Sequence, residues 1–349
     1  MNCNYTILIL YTELMPYNVV VIRELVKKGC RVHVVLQDTN KQTPYLPPLL
    51  DGVTYYNRST FWDPDHLFRL VKRLGPDLVW TAGWIDPLYN EVAGMVRKKL
   101  HLPVVASSDT QWRGGKQWLN VLTAGFRQRS WFSHIFVAGE WQVKYAGKLG
   151  FYPDQILMNN LSADVDLFSQ VNIDSREKKY PKRLLYVGRF SPEKGLIHLL
   201  KAWQSILDRK GWQLTLVGNG PEIDKLTGYP DVEIFDFMDQ QNLLKIMENS
   251  GAFILSSVFE QWSLVLHEAA CAGLPILASN CCGAVASFVR EGENGYLFIP
   301  GNIRSIRSSI EKLLIQPEAD LLRMGRNSRM LGMQITPGRV ADTLLTVLK

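Results

Sequence analysis

The sequence predicts an α/β protein made of two doubly wound units, each a mostly parallel sheet covered by helices. Three observations predict it. Short apolar runs alternate with helical patterns along the chain, the sign of repeated βαβ units. One polar stretch, NIDSREKKYPKR at 172–183, divides that alternation in two and reads as a linker. The length, 349 residues, is long for a single core, so two domains are expected.

The elements follow in order. The run TILIL at 6–10 predicts a first buried strand, and 19–28 a helix closed by Gly29. Strands are predicted at 31–36, 78–80, 104–106 and 135–137, with helices at 65–73, 87–100, 119–129 and 140–149. After the linker, strands are predicted at 184–187, 213–217, 232–235, 252–255 and 275–278, the first followed by a helix at 195–209. From 303 onward the pattern is helical, with a break at Thr336-Pro337-Gly338. Ligand sites in such sheets lie beyond the carboxyl ends of the strands.

Composition narrows the class. Hydrophobic residues make up 46%, as in ordinary globular proteins. No apolar run approaches the length of a membrane span. The opening MNCNYTILILYTELMP has neither a basic start nor a small-residue cleavage site, so it is read as a strand rather than a signal peptide. Cys3, Cys30, Cys271, Cys281 and Cys282 are odd in number and lack metal-type spacing, which suits free thiols in a reducing, cytoplasmic setting. Lys and Arg exceed Asp and Glu by 39 − 33 = 6, a mild excess that suits phosphate-bearing ligands or an anionic membrane face.

The densest group of candidate functional residues is VFEQWSLVLHEAACAGLPIL at 258–277. Ser263 is a candidate N-cap, the small apolar residues after it predict a helix, and Gly273 with Pro275 stops it. Glu260 then sits just outside the helix mouth and Glu268 about one and a half turns inside. Such a mouth attracts phosphate through its unpaired amides and positive dipole end. Carboxylates beside it suit sugar hydroxyls. On spacing alone, one dipole-favoured Glu and one solvated Glu explain the pair better, because such pairs are common.

Two more segments change that balance. In LYVGRF and EKG, Gly188 and Arg189 end a strand and Lys194 precedes a helix. Two cations there would neutralise a diphosphate, Arg in fork geometry and Lys as a point charge. In LVGNGP, Gly218 and Gly220 form a turn that either lets backbone approach a ligand or simply turns tightly.

Together these segments resemble the Glu-x(7)-Glu and Gly-Arg…Glu-Lys-Gly motifs of the retaining glycosyltransferases of family four (glycosyl transferases group 1). That family has the GT-B fold, two Rossmann-like domains facing a cleft. The family loop reads Glu-Gly-Phe-Gly-Leu, whereas here Glu260-Gln261-Trp262-Ser263-Leu264 replaces both glycines. The resemblance implies an acceptor-binding domain at 1–165, onto which 336–349 crosses back, and a donor-binding domain at 166–335. Carried over by position, Glu260 bonds donor-sugar hydroxyls and Glu268 the ribose diol. Amides of Ser263, Leu264 and Val265 meet phosphate, Arg189 and Lys194 hold the pyrophosphate, and Gly188, Gly218 and Gly220 lie beside the nucleotide. The implied reaction moves a hexose-type sugar from a nucleotide diphosphate sugar, UDP- or GDP-linked, to a sugar or lipid-linked acceptor. No obligatory cofactor or metal is expected. Arg189, Lys194 and Glu260 are the expected catalytic residues, acting through charge stabilisation and positioning. Phe237 opens the segment that usually flanks the base, but Asp236 stands where glycine is common, so no base contact is assigned.

The first unit should choose the acceptor. Candidates there are Glu13 and Asn18 after the first strand, with Asn18 equally an N-cap, together with Trp84, Ser108, Asp109 and Trp112. Asp109 is also a candidate base, or else an Asx-turn residue. The segment 111–132 interleaves Trp112, Trp118, Phe126, Trp131 and Phe132 with Arg113, Lys116, Arg127 and Arg129. That pattern suits a peripheral contact at the inner membrane face or carbohydrate stacking. The plainer reading is a helix with buried aromatics and a solvated basic face. No nucleic-acid module is recognisable. Asp63-Pro64-Asp65 reads as a helix start, and Asp164-Val165-Asp166 falls at a linker turn in relatives, so neither is read as a metal site. Rival readings are a nucleotide-sugar epimerase or hydrolase of the same fold, and a binding subunit without turnover.

Overall fold

The computed structural model describes residues 4–37, 47–229 and 231–349; Cys3 lies outside them. The described chain divides into two compact units. Unit 1 comprises Met1–Ser162 and Thr336–Lys349, and unit 2 comprises Ala163–Ile335.

Among the described residues, unit 1 holds seven strands, β1 (Thr6–Tyr11), β2 (Arg31–Leu36), β3 (Val53–Asn57), β4 (Leu78–Thr81), β5 (Val104–Ser108), β6 (His134–Val137) and β7 (Ile156–Met158). They lie in the order β3-β2-β1-β4-β5-β6-β7, all pairs parallel. Its helices are α1 (Pro16–Lys27), α2 (Pro64–Leu74), α3 (Pro87–Met95), α4 (Gln117–Thr123), α5 (Gln128–Trp131) and α6 (Glu140–Lys148). β1 and β4 are buried at every position, as a parallel sheet covered on both faces requires. β3 and β7 were not expected from the sequence; both are edge strands, and neither has a fully buried residue.

Unit 2 begins with α7 (Val165–Phe168) and holds β8 (Arg183–Val187), β9 (Gln213–Val217), β10 (Val232–Phe235), β11 (Ala252–Leu255), β12 (Ile276–Ser279) and β13 (Gly295–Phe298). Their order is β10-β9-β8-β11-β12-β13, again all parallel. The other helices are α8 (Leu196–Gln204), α9 (Ile223–Leu226), α10 (Gln240–Glu248), α11 (Leu264–Cys271), α12 (Val285–Phe288), α13 (Ile303–Leu314) and α14 (Glu318–Gly332). The last helix, α15 (Pro337–Leu345), belongs to unit 1, where it lies on α1 and Lys28 pairs with Asp342 at 2.8 Å. Pro337 at its first position and Thr336 as its N-cap explain the break before it.

Several local expectations need correction. The stretch 172–183 is not a linker. It carries a short 3-10 helix, and Ile173, Arg176 and Tyr180 are buried in unit 2. The Arg176 guanidinium donates to the carbonyls of Gly273, Met247 and Ala272 at 2.6, 3.0 and 3.4 Å, and the Tyr180 hydroxyl to that of Gly251 at 2.6 Å. Polar composition concealed side chains that satisfy buried backbone. α1 begins at Pro16 rather than 19, because proline suits the first helical position. Asn18 is therefore in the first turn, where its Oδ1 accepts from the Met15 amide at 2.9 Å, and it is not the N-cap. Asp63 caps α2 through the His66 amide at 2.6 Å, and Asp164 caps α7 through Leu167 at 3.1 Å. Both Asp-x-Asp strings are thus helix starts.

Candidate functional site

Each sheet reverses its winding once, between β1 and β4 in unit 1 and between β8 and β11 in unit 2. The crevice beyond the carboxyl ends at such a reversal is the general ligand position of open α/β sheets. In unit 2 the loops after β8 and β11 carry Gly188, Arg189, Lys194, Glu260 and Ser263.

These loops are joined by specific bonds. Lys194 Nζ lies 2.5 Å from Glu260 Oε2, and Ser257 Oγ donates to the same oxygen at 3.0 Å. Ser256 Oγ donates to the Lys194 carbonyl at 2.9 Å, and the Val258 amide to the Glu193 carbonyl at 2.9 Å. Neither serine was a candidate in the sequence, although small polar residues directly after an apolar strand are a usable signal. Arg189 is exposed, and its carbonyl accepts from the Tyr186 hydroxyl at 3.2 Å. The Ser191 hydroxyl and nearby Lys194 and Arg189 hold the Glu193 carboxyl below its ordinary range.

The turn after β9 shows why its glycines are needed. A Cβ on Gly218 would drive into the Gly188 carbonyl, and one on Gly220 into the Phe190 backbone. The close approach is to the neighbouring loop, so tight packing accounts for both glycines.

α11 starts where expected, but Ser263 does not cap it with its side chain. Its φ is 94° and ψ 97°, so its backbone is in a region L-residues rarely adopt. The amides of Leu264 and Val265 open the first turn, where no intrahelical acceptor exists. Inside the helix, His267 pins the element. It accepts from the Ala163 amide at Nδ1, 3.0 Å away, and its Nε2 donates to the Gly332 carbonyl at 2.8 Å. It stacks on Phe288 with ring centroids 4.2 Å apart. Burial lowers its pKa to about 4, so it stays neutral. Glu268 accepts from Gln240 Nε2 at 3.3 Å. Burial raises its carboxyl to about 7, with Gln240 opposing and Asp164 adding to the rise.

In unit 1 the residues divide. Glu13 after β1 and Asp109 after β5 both act on Tyr17, whose phenol is raised to about 12 by burial first, then by Asp109 and Glu13. Tyr17 was not a candidate, and its position on the first turn of α1 brings it there. Ser108 Oγ accepts from the Thr110 amide at 3.3 Å. Trp84 packs on the hydrophobic core, and its carbonyl accepts from Asn90 Nδ2 at 3.0 Å. Trp112 is packed on Tyr145 and edge-on to Trp118, at 5.8 and 5.1 Å between centroids. The helix expected at 119–129 is two short helices, α4 and α5, and its aromatics are not buried as a set: Trp118 and Phe126 are exposed. Among the described residues no group of three or more His, Cys, Asp or Glu is placed to hold a metal, and no helix is long and apolar enough to cross a membrane.

Comparison with known proteins agrees with this layout. The family described as Glycosyltransferase Family 4 matches residues 17–157, and Glycosyl transferases group 1 matches residues 170–330. An uncharacterized glycosyltransferase of Haemophilus influenzae is 34% identical over 159 residues, covering 43% of this chain and 44% of that protein. A lipopolysaccharide 1,6-galactosyltransferase of Salmonella typhimurium is 26% identical over 178 residues, covering 46% of this chain and 49% of that protein. The alignments thus span less than half the length of these curated relatives. Among solved structures, Anabaena HepE in complex with UDP superposes with a TM-score of 0.76 at 16% identity, covering 98% of this chain and 99% of that one. The same protein has been solved with UDP-glucose. With one family match over each unit and a GT-B neighbour along nearly the whole length, the chain belongs to the glycosyltransferases of family four, group 1, with the GT-B fold.

Proposed function

We propose that the protein is a retaining glycosyltransferase that moves a hexose-type sugar from a UDP- or GDP-sugar to a sugar or lipid-linked acceptor in polysaccharide or glycoconjugate synthesis. Unit 2 is the donor side and unit 1 the acceptor side, in a cytoplasmic protein able to work at a membrane face. One observation carries the donor assignment: Lys194 and Glu260 meet at 2.5 Å at the sheet reversal, beside the first turn of α11. A paired cation and carboxylate, with the opening amides of a helix four residues further along the same loop, are a set that suits diphosphate and sugar hydroxyls together.

In this reading Arg189 and Lys194 take up the charge that develops on the leaving diphosphate, and the amides at Ser263, Leu264 and Val265 share it. Glu260 exchanges its bond to Lys194 for donor-sugar hydroxyls. Glu268, steadied by Gln240, accepts from the ribose diol. Glu13, Tyr17 and Asp109 form the polar acceptor group in this reading, with Asp109 as its candidate base. No metal enters the scheme.

Calorimetric titration with UDP, GDP, ADP and CMP, with and without magnesium, tests the donor site. Metal-independent binding of one diphosphate is expected, weakened about tenfold to a hundredfold by Arg189→Ala or Lys194→Ala, since each removes a charged hydrogen bond. No binding by folded protein overturns the assignment. Turnover of the matching nucleotide sugar, with the anomeric configuration of the product read by NMR, tests retention. Consumption of donor without any acceptor would favour the epimerase or hydrolase reading.

A further inference from the structure

The segment after β5 shows an inverted arrangement of polar and apolar side chains. α4 and the turn after it leave Trp118 50%, Leu119 67%, Leu122 73% and Phe126 89% exposed. Within α4, Trp118 and Leu122 share one face and Leu119 borders it, and Phe126 follows in the turn after the helix. Two positions beyond, Gln128 is 0% exposed, and neither of its side-chain polar atoms has a hydrogen-bond partner among the described residues. Exposing Leu and Phe while burying a bare amide opposes what water selects.

The surroundings of the ridge are cationic. Arg113, Lys116 and Arg127 are exposed beside it. Lys148 Nζ covers the Trp112 and Trp118 rings at 4.7 and 5.1 Å. No Asp or Glu occurs between Asp109 and Glu140. We propose that this ridge docks the protein on an anionic lipid bilayer. Leu119, Leu122 and Phe126 enter the boundary between headgroups and acyl chains, and Trp118 lies at that boundary. Arg113, Lys116 and Arg127 meet lipid phosphates. A second copy fits less well, because a two-fold contact through this face would bring cation against cation. The inference names the membrane partner of the lipid-linked acceptor reading and rests on it for its purpose, but docking is measured without catalysis.

The test is cosedimentation of the full chain with vesicles of phosphatidylcholine alone or mixed with phosphatidylglycerol, at low and high salt. Binding to the anionic vesicles is expected, weakened by salt. Leu122→Ser with Phe126→Ser should weaken it at least about tenfold. Replacing Arg113, Lys116 and Arg127 by Ala should weaken it about a hundredfold. Quenching of tryptophan emission by brominated lipid should fall in Trp118→Phe. Unchanged circular dichroism and nucleotide affinity establish that the variants fold, and nucleotide titration reads the donor site separately. Absence of binding to anionic vesicles overturns the proposal, as does equal binding by the Leu122/Phe126 variant. A dimer that the same variant dissolves overturns it in favour of a second copy.

Discussion

Ser263 concentrates the local tension of the donor loop. Its φ of 94° suits glycine, and glycine stands at this place in the family motif that the loop resembles. The side chain returns no cap bond in exchange. Ser263→Gly should therefore raise stability by about 1 kcal/mol, read by chemical denaturation, since strain of this kind costs about 1–3 kcal/mol and glycine regains part as unfolded-state entropy. A loss of stability would show that the serine is held by something other than its backbone. Glu268 makes a second residue-scale prediction. Its carboxyl rises from an ordinary 4.5 to about 7 on folding. The folded chain then binds more protons than the unfolded chain between those values, so this group's contribution to stability falls as pH rises through that window. Glu268→Gln should flatten the slope there. Nucleotide affinity should change the opposite way, rising with pH up to about 7, because only the ionised carboxylate accepts freely from two ribose hydroxyls.

At the scale of elements, what was legible was what repeats locally. β2, β9, β10 and β11 fall at their expected bounds: β11 is one apolar run, β2 and β9 are apolar at most positions, and β10, itself an edge strand, keeps Val232 and Ile234 on its more covered side. β3 and β7 were missed because edge strands need only one partner and one covered face, so VTYYN and ILM carry a weak signal. The segment 172–183 failed for a different reason. Its Arg176 is surrounded by carbonyls from residues 71–97 positions away, and burial lowers its guanidinium pKa to about 10. Arg176→Ala should cost roughly 3 kcal/mol, because it strands buried carbonyls. Thermal and urea unfolding measure this, and a change below about 1 kcal/mol would return the stretch to the status of a surface linker.

At the scale of the molecule, each unit winds outward from one central strand and reverses once, which gathers the loops after β8 and β11 in unit 2 and those after β1 and β4 in unit 1. Unit 1 includes α15. Val340, Ala341, Leu344 and Leu345 of α15 are buried, and the helix lies on α1. Removing 336–349 should destabilise unit 1 by roughly 5 kcal/mol on the apolar area uncovered. Limited proteolysis should then cut within unit 1 first, while unit 2 keeps its nucleotide affinity; equal resistance of both units would contradict this. The sequence by itself determined the fold class, most of the central strands and the candidate motifs, because strand runs, caps and short motifs are written within a few residues of each other. Only the tertiary structure decided that Lys194 reaches Glu260 across 66 positions and Gln240 reaches Glu268 across 28. It also decided that Glu13 and Asp109 act on one tyrosine, and that Gln128 is buried while Phe126 is exposed. Those meetings depend on strand order and on which face each helix turns inward, and no local pattern encodes either.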